Sequence, residues 1–145
     1  MKLRIIRDSK FTEPCVTVEY SQETKQVSEI IEMVRLYGNT IMAELKGSSL
    51  NLNLKDIYYF ESVDDNSYIY TKNQVYNTSY KLYKIEEMVE NSTFVRISKS
   101  CIVNITKIES VKPFLNGRFE ATMLNGEKLI INRHYVATFK KKFGI

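Results

Sequence analysis

Histidine occurs once in these 145 residues, at His134, and cysteine twice, at Cys15 and Cys101. That scarcity removes most site chemistry at the outset. A single imidazole gives a histidine metal site or a Cys/His dyad no second member. The two cysteines have neither CxxC spacing nor a histidine cluster, so zinc and a disulfide framework are set aside and both thiols read as reduced packing residues. The five glycines are scattered, with no G-x-G-x-x-G or Walker spacing to cradle a phosphate. Asp64-Asp65 is a paired carboxylate, but it falls between two strand-like runs and reads first as turn chemistry. No enzyme, metal site or cofactor is therefore expected.

Long apolar runs are missing too. The opening Met1-Lys2-Leu3-Arg4-Ile5-Ile6-Arg7-Asp8 breaks off before it supplies the roughly 7 to 15 apolar residues of a signal peptide. No stretch approaches the roughly 18 apolar residues of a membrane span. A cytoplasmic protein without membrane insertion is expected. What is present is ordinary for a folded domain, with 43% hydrophobic and 26% charged residues.

The formal charge of +4 is unevenly spread. Residues 1–45 carry 6 basic and 7 acidic side chains, residues 46–91 carry 5 and 7, and residues 92–145 carry 10 and 3, so the last third alone holds +7. Clustered Lys and Arg are the electrostatic footprint of a polyanion partner, because neutralised phosphates release condensed counterions. A solvated basic face is the bland alternative.

Period and punctuation give the elements. Two β-like runs, Leu3 to Arg7 and Cys15 to Tyr20, are separated by Glu13-Pro14. Val27, Ile30, Ile31, Val34 and Tyr37 then recur at helical spacing, with Ser21 or Thr24 to cap the start and Gly38 at the end. From Asn39 the period becomes two: Ile41 to Leu45, Leu50 to Leu54, Ile57 to Glu61, Ser67 to Thr71 and Val75 to Tyr80 read as strands. Leu82, Ile85, Met88 and Val89 predict a short helix. Five more strands follow between Phe94 and Asn132, with Asn116-Gly117 and Asn125-Gly126 as tight turns, the second of type I′. A terminal helix is predicted from His134 to Phe143. The expected division is an extension, residues 1–44, and a domain, residues 45–145, in a mainly β, α+β fold.

Two polar loops in the basic third carry the functional signal. Arg96-Ile97-Ser98-Lys99-Ser100 interrupts two apolar strands with two cations and two hydroxyls, which can hold phosphates and reach base edges. Asn132-Arg133-His134 does the same after the last strand. The planar fork of Arg matches guanine O6 and N7. Surface ion pairs are the alternative role for Arg96 and Arg133.

The run Phe94 to Asn104, then Ile108, Leu124-Asn125-Gly126-Glu127 and Asn132-Arg133, resembles the core pattern of bacterial LytTR DNA-binding domains. Asp56 to Ser62 and Ser79-Tyr80-Lys81-Leu82 with Ile85-Glu86 resemble its first half. The resemblance implies short, layered antiparallel β-sheets whose loops enter successive major grooves at promoter direct repeats of double-stranded DNA, with bending. It places base contacts on Ser67, in the loop before Tyr68 to Thr71, on Lys99 and on Arg133. Arg96, Ser98, Ser100, Asn132 and His134 sit beside them as backbone or loop-shaping groups. Ser98 stands where many members carry His, and Asn132 where many carry Ser. Most members have a phosphoacceptor receiver domain in front; the first 45 residues are too few for one, which implies a stand-alone regulator with a β-β-α extension. The resemblance to stand-alone members brings with it a small membrane-protein inhibitor as a partner; the apolar stripe of the extension's helix is expected to pack on its own β-strands, with a homodimer or inhibitor contact as the sharper alternative.

Two other readings stay open. Ten tyrosines on strands can stack single-stranded RNA bases, although the densest group lies where the net charge is −2. A protein-interaction module with a basic face is the other.

Overall fold

The computed structural model describes all 145 residues. Its elements are α1 (Lys25–Leu36), β1 (Thr40–Leu45), β2 (Ser48–Asn53), β3 (Tyr59–Val63), β4 (Asn66–Tyr70), β5 (Val75–Thr78), α2 (Leu82–Met88), β6 (Phe94–Ser98), β7 (Cys101–Asn104), β8 (Ile108–Pro113), β9 (Phe119–Met123), β10 (Lys128–Ile131) and α3 (Arg133–Phe143). All strand pairs are antiparallel. Seven strands form one sheet in the order β2-β1-β5-β4-β3-β7-β6, and three form a second in the order β10-β9-β8.

Period-two alternation sorts the side chains of the large sheet onto two faces. Phe60, Ile69, Phe94 and Ile102 pack with Leu82 and Ile85 of α2 and with Leu36, Ile41 and Ala43. Their neighbours Tyr59, Val95, Ile97 and Val103 face the small sheet and α3, where Ala121, Met123, Ile131 and Phe139 are fully enclosed. Burying each such large apolar side chain contributes about 1.5–3 kcal/mol before entropy is subtracted. The result is a helix, a sheet, and then a second sheet with a helix, stacked as layers.

A tyrosine pair bolts the layers together. The rings of Tyr59 and Tyr70 stack at 4.1 Å and 10°. Tyr59 donates to Glu127 in the β9–β10 turn at 2.7 Å, and Tyr70 donates to Glu61 at 3.0 Å. Burial, and next the hydrogen bond to a carboxylate, pushes the Tyr70 phenol up to about 12 and raises Tyr59 in the same direction. An unfolded phenol ionises near 10, so the stability these two supply is intact below about pH 10 and is lost as the pH climbs towards their folded values. In an alkaline ultraviolet titration, two tyrosines are expected to ionise last and together with unfolding. Titration of all of them near pH 10 with the fold intact would refute the clamp.

The turns refine the sequence reading. Lys46 (φ 50°) and Gly47 (φ 81°) form a two-residue type I′ loop between β1 and β2, as do Asp64 (φ 50°) and Asp65 (φ 67°) between β3 and β4. Asn125-Gly126 is not of that type. Only Gly126 takes a positive φ, and its amide bonds the Met123 carbonyl at 2.9 Å, so a type I turn with a glycine bulge joins β9 to β10.

The N-terminal segment departs most from expectation. Neither Leu3 to Arg7 nor Cys15 to Tyr20 is a strand, and nearly every residue before Lys25 is exposed. Helix α1 forms as predicted, with the Thr24 hydroxyl accepting from the Val27 amide at 3.3 Å. It does not pack on strands of its own. Val27, Ile30 and Ile31 are half-buried and Val34 is exposed, while Leu36 enters the core of the large sheet. An ion pair of 3.3 Å between Glu32 and Lys142 ties α1 to α3. Strand β1 crosses the expected boundary at residue 44 and pairs along its whole length with β2.

Candidate nucleic-acid interface

Four connections meet along one edge of the molecule. The β6–β7 turn holds Lys99 and Ser100; beside it, the Ser62 amide of β3 bonds the Ser100 carbonyl at 2.8 Å, which brings the β3–β4 turn close. The Asn132 amide bonds the Ile97 carbonyl at 2.9 Å, so the junction of β10 with α3 is fastened to the end of β6. The β8–β9 turn comes next, because a side chain added at Gly117 would meet the Cβ of Arg133 at 3.7 Å. Lys99 and Arg133, two of the residues singled out in the sequence, are thereby brought together on exposed ground.

The β6–β7 turn is shaped from beneath. The pairing register shifts between Arg96 and Ser98, a bulge of the kind that re-aims a neighbouring side chain. Arg96 donates to the Ser98 carbonyl at 2.8 Å and to the Lys99 carbonyl, and its guanidinium lies 3.2 Å from Glu86. The Ser98 hydroxyl accepts from the Ser100 amide at 3.2 Å. Arg96 and Ser98 are therefore engaged in holding the loop, and Lys99 is left projecting from it.

Arg133 is the first residue of α3 and Asn132 is its cap, one residue earlier than the sequence period indicates. The Asn132 side chain makes no capping bond, and the first turn has no acidic residue. Arg133 thus stands at the positive end of the helix dipole with His134 beside it, an arrangement that is unfavourable for the arginine until an anion arrives. Together with Asn116 and Arg118 they line an open cleft of about 440 Å³ without a carboxylate or an apolar side chain. Arg118, braced by the Leu115 carbonyl at 3.0 Å, and Asn116, read in the sequence only as part of a turn, were not singled out as site residues. Their signal was there: an Asn-Gly turn followed by an arginine in the basic third.

Ion pairing separates the cations. Arg96, Lys112, Lys128 and Lys142 each face a carboxylate within 4 Å, whereas Lys99, Arg118 and Arg133 face none. The surface-pair role therefore holds for Arg96 and not for Arg133.

Ser67 is placed differently from expectation. It lies inside β4, only 4% exposed, between Ser62 of β3 and Thr78 of β5, and not in a loop. It lines a smaller hollow of about 230 Å³ with Glu44, Asn77 and others. The exposed residue at that corner is Asn66, next to Asp64 and Asp65. Of the tyrosines, Tyr58 and Tyr59 are buried and Tyr70 spends a ring face on Tyr59, while Tyr20, Tyr37 and Tyr83 are exposed but lie outside the strands.

Residues 47–144 match the family model of the LytTr DNA-binding domain. The chain belongs to the LytTR family. It is 32% identical over 91 residues to the sensory transduction protein LytT of Enterococcus faecalis, covering 63% of this chain and 38% of that protein. It is 28% identical over 124 residues to LytT of Bacillus anthracis, covering 86% and 48%. The chain thus spans less than half the length of these relatives. An uncharacterized HTH-type transcriptional regulator of Staphylococcus aureus aligns over 147 residues at 26% identity, covering 100% of this chain and 99% of that one. A solved LytTr DNA-binding domain from Bacillus cereus superposes with a TM-score of 0.69 at 23% identity, over 73% of this chain and 97% of that domain. The mainly β, layered fold is shared with it. No two helices of this chain follow one another without strands between them, so no helix-turn-helix unit is formed.

Proposed function

We propose that this chain is a sequence-specific duplex DNA-binding transcription regulator that inserts the β6–β7 turn and the β10–α3 junction into successive major grooves at promoter repeats. One observation carries the reading: Arg133, Arg118 and Lys99 lie unpaired along an edge whose cleft lacks carboxylates, next to a helix start that carries an arginine and no acid. Such a surface is incomplete without phosphates. Arg133 reads a base and Arg118, held against its own turn, grips backbone. At the β3–β4 corner the contact falls to Asn66, because Ser67 is enclosed; with Asp64 and Asp65 beside it, that corner suits base-edge amino groups and repels phosphate.

Gel shifts with the protein's own upstream DNA, random duplex and single-stranded RNA test the reading. Preference for the upstream duplex is expected. Equal binding to random duplex, or tighter binding to RNA, would overturn it.

Lys99 is a point charge without the fork of Arg. Lys99→Ala is expected to weaken operator binding from a second loop while leaving the fold unchanged. Loss confined to the operator means that Lys99 reads a base. Equal loss on operator and random duplex, with the salt slope reduced by about one unit, would instead assign it to phosphate.

A further inference from the structure

The outer face of the small sheet belongs to neither core. Strand register fixes which side chains stand on it. Val111, Ala121 and Leu129 lie side by side and pack inward, as do Phe119 and Ile131, so Lys112, Glu120 and Ile130 form one outward row and Ser110, Thr122 and Lys128 the next. A third row continues the ladder to the β8–β9 turn. There the Phe114 amide bonds the Arg118 carbonyl at 2.8 Å, and the Arg118 guanidinium lies 5.0 Å from the centre of the Phe114 ring, which puts both on the same outward face. Arg118 also lines the cleft with Arg133. The cleft and the outer face are therefore one continuous surface, about 14 Å from the Arg118 row to the Lys128 row, or roughly four base pairs of duplex.

By this register the face carries three cations, Lys112, Arg118 and Lys128, against the single carboxylate of Glu120, a net charge of +2. Glu120 serves two lysines at once. Lys112 lies 3.6 Å and Lys128 3.7 Å from the same oxygen, both beyond hydrogen-bond reach, and that oxygen is enclosed without a hydrogen-bond partner. The two lysine side chains are 66% and 60% exposed. Exposed pairs of this kind are weak, so both ammonium groups keep donors free for another anion. We propose that the outer face of the small sheet is a second phosphate-binding surface, where Lys112 and Lys128 take the duplex backbone that flanks the groove contacts and Glu120 limits the grip. This rests on the duplex-binding reading of the cleft, and continuity with Arg118 selects the partner. A backbone that meets Arg118 and runs on along the strands of the small sheet brings its next phosphates to the lysines, which hold it without reading sequence. Duplex drawn onto this face bends towards the small sheet, the added contacts offsetting the elastic cost.

Anisotropy titrations of the full-length chain on its own upstream duplex and on random duplex, between about 50 and 200 mM salt, read the outcome. Contacts to phosphate act alike on both duplexes. Replacing the two lysines together, Lys112→Ala with Lys128→Ala, is expected to weaken both and to lower the salt slope by about two units, so that the affinity lost across that salt range shrinks about tenfold. Preference for the upstream duplex should not move. Glu120→Gln is expected to tighten both duplexes about twofold to threefold at the low-salt end, the size of one unit charge removed some 7 Å from a phosphate in water. Misfolding cannot produce such a gain. Thermal melting checks that the lysine variant, in which Glu120 loses both neighbours, is folded at the titration temperature. A chain that prefers the upstream duplex while neither variant changes affinity or salt slope overturns this proposal alone. So does a loss confined to the upstream duplex, which would make the lysines base readers. Failure of the unaltered chain to bind either duplex would instead remove the reading of the cleft, and the proposal with it.

Discussion

Arg133→Ala is expected to remove most of the preference for operator over random duplex while leaving a folded protein. A bidentate arginine–guanine contact is worth about 1–3 kcal/mol of discrimination, or roughly 5- to 150-fold in relative affinity. The folding side of the expectation is unusual in sign. Arg133 stands at the positive end of α3 with no acidic residue in the first turn, so its removal relieves a local repulsion worth at most about 1 kcal/mol. The melting temperature should therefore hold or rise slightly as specificity falls. Anisotropy titrations at one fixed moderate salt concentration, on operator and on random duplex, separate the two effects. Unchanged affinity for the operator would sink the base-reading role of this junction. Equal losses on both duplexes would move Arg133 to the phosphates beside Arg118.

Most of the sheet was legible because period-two alternation is a direct consequence of which face is buried. Leu50 and Leu52, alternating with Asn51 and Asn53, declare a strand with one buried face, while the continuous apolar runs Tyr58-Tyr59-Phe60 and Cys101-Ile102-Val103 declare strands covered on both, and the structure places Leu50, Leu52, Tyr59, Phe60, Ile102 and Val103 in strands. The same signal misleads where burial depends on something outside the segment. Leu3 to Arg7 and Cys15 to Tyr20 alternate as strands do, but within one chain they find no ladder, since pairing is a tertiary fact that local pattern does not contain. Loop chemistry was legible by residue type and not by geometry. Asn125-Gly126 carries the composition of a type I′ turn without its torsion angles, while Lys46-Gly47, less conspicuous in sequence, has both. At the interface, Lys99 and Arg133 were found from the family pattern, and the structure adds what spacing cannot encode: the bulge at Ile97, the fastening of Asn132 to β6, and the arrival of Arg118 from a separate hairpin. Ser67 shows the converse. One residue of error in a strand boundary moves a side chain from solvent into the sheet.

Asn104→Ala is expected to produce the largest loss of stability of any polar substitution in the domain, although the residue looks unremarkable at the end of the apolar run Ile102-Val103. Its side chain is fully buried and has all its polar atoms in use. The Oδ1 atom accepts from the Thr93 hydroxyl at 2.9 Å and from the Thr106 hydroxyl and amide at 2.8 and 3.1 Å, and the Nδ2 atom donates to the Ile57 carbonyl at 2.9 Å. One side chain thus joins the entry to β3, the entry to β6 and the short turn between β7 and β8. Truncation strands the Ile57 carbonyl and the Thr93 hydroxyl away from water and leaves a small void. A stranded buried group costs about 1–3 kcal/mol, so a total near 2–4 kcal/mol is expected, at the high end for single substitutions. Urea denaturation measures it as a fall in midpoint at unchanged slope. No atom of Asn104 lines the Arg133 cleft, so operator preference should survive at temperatures well below the new transition. A loss under about 1 kcal/mol would mean that water replaces the amide at this junction and that the three segments are held by their apolar contacts alone.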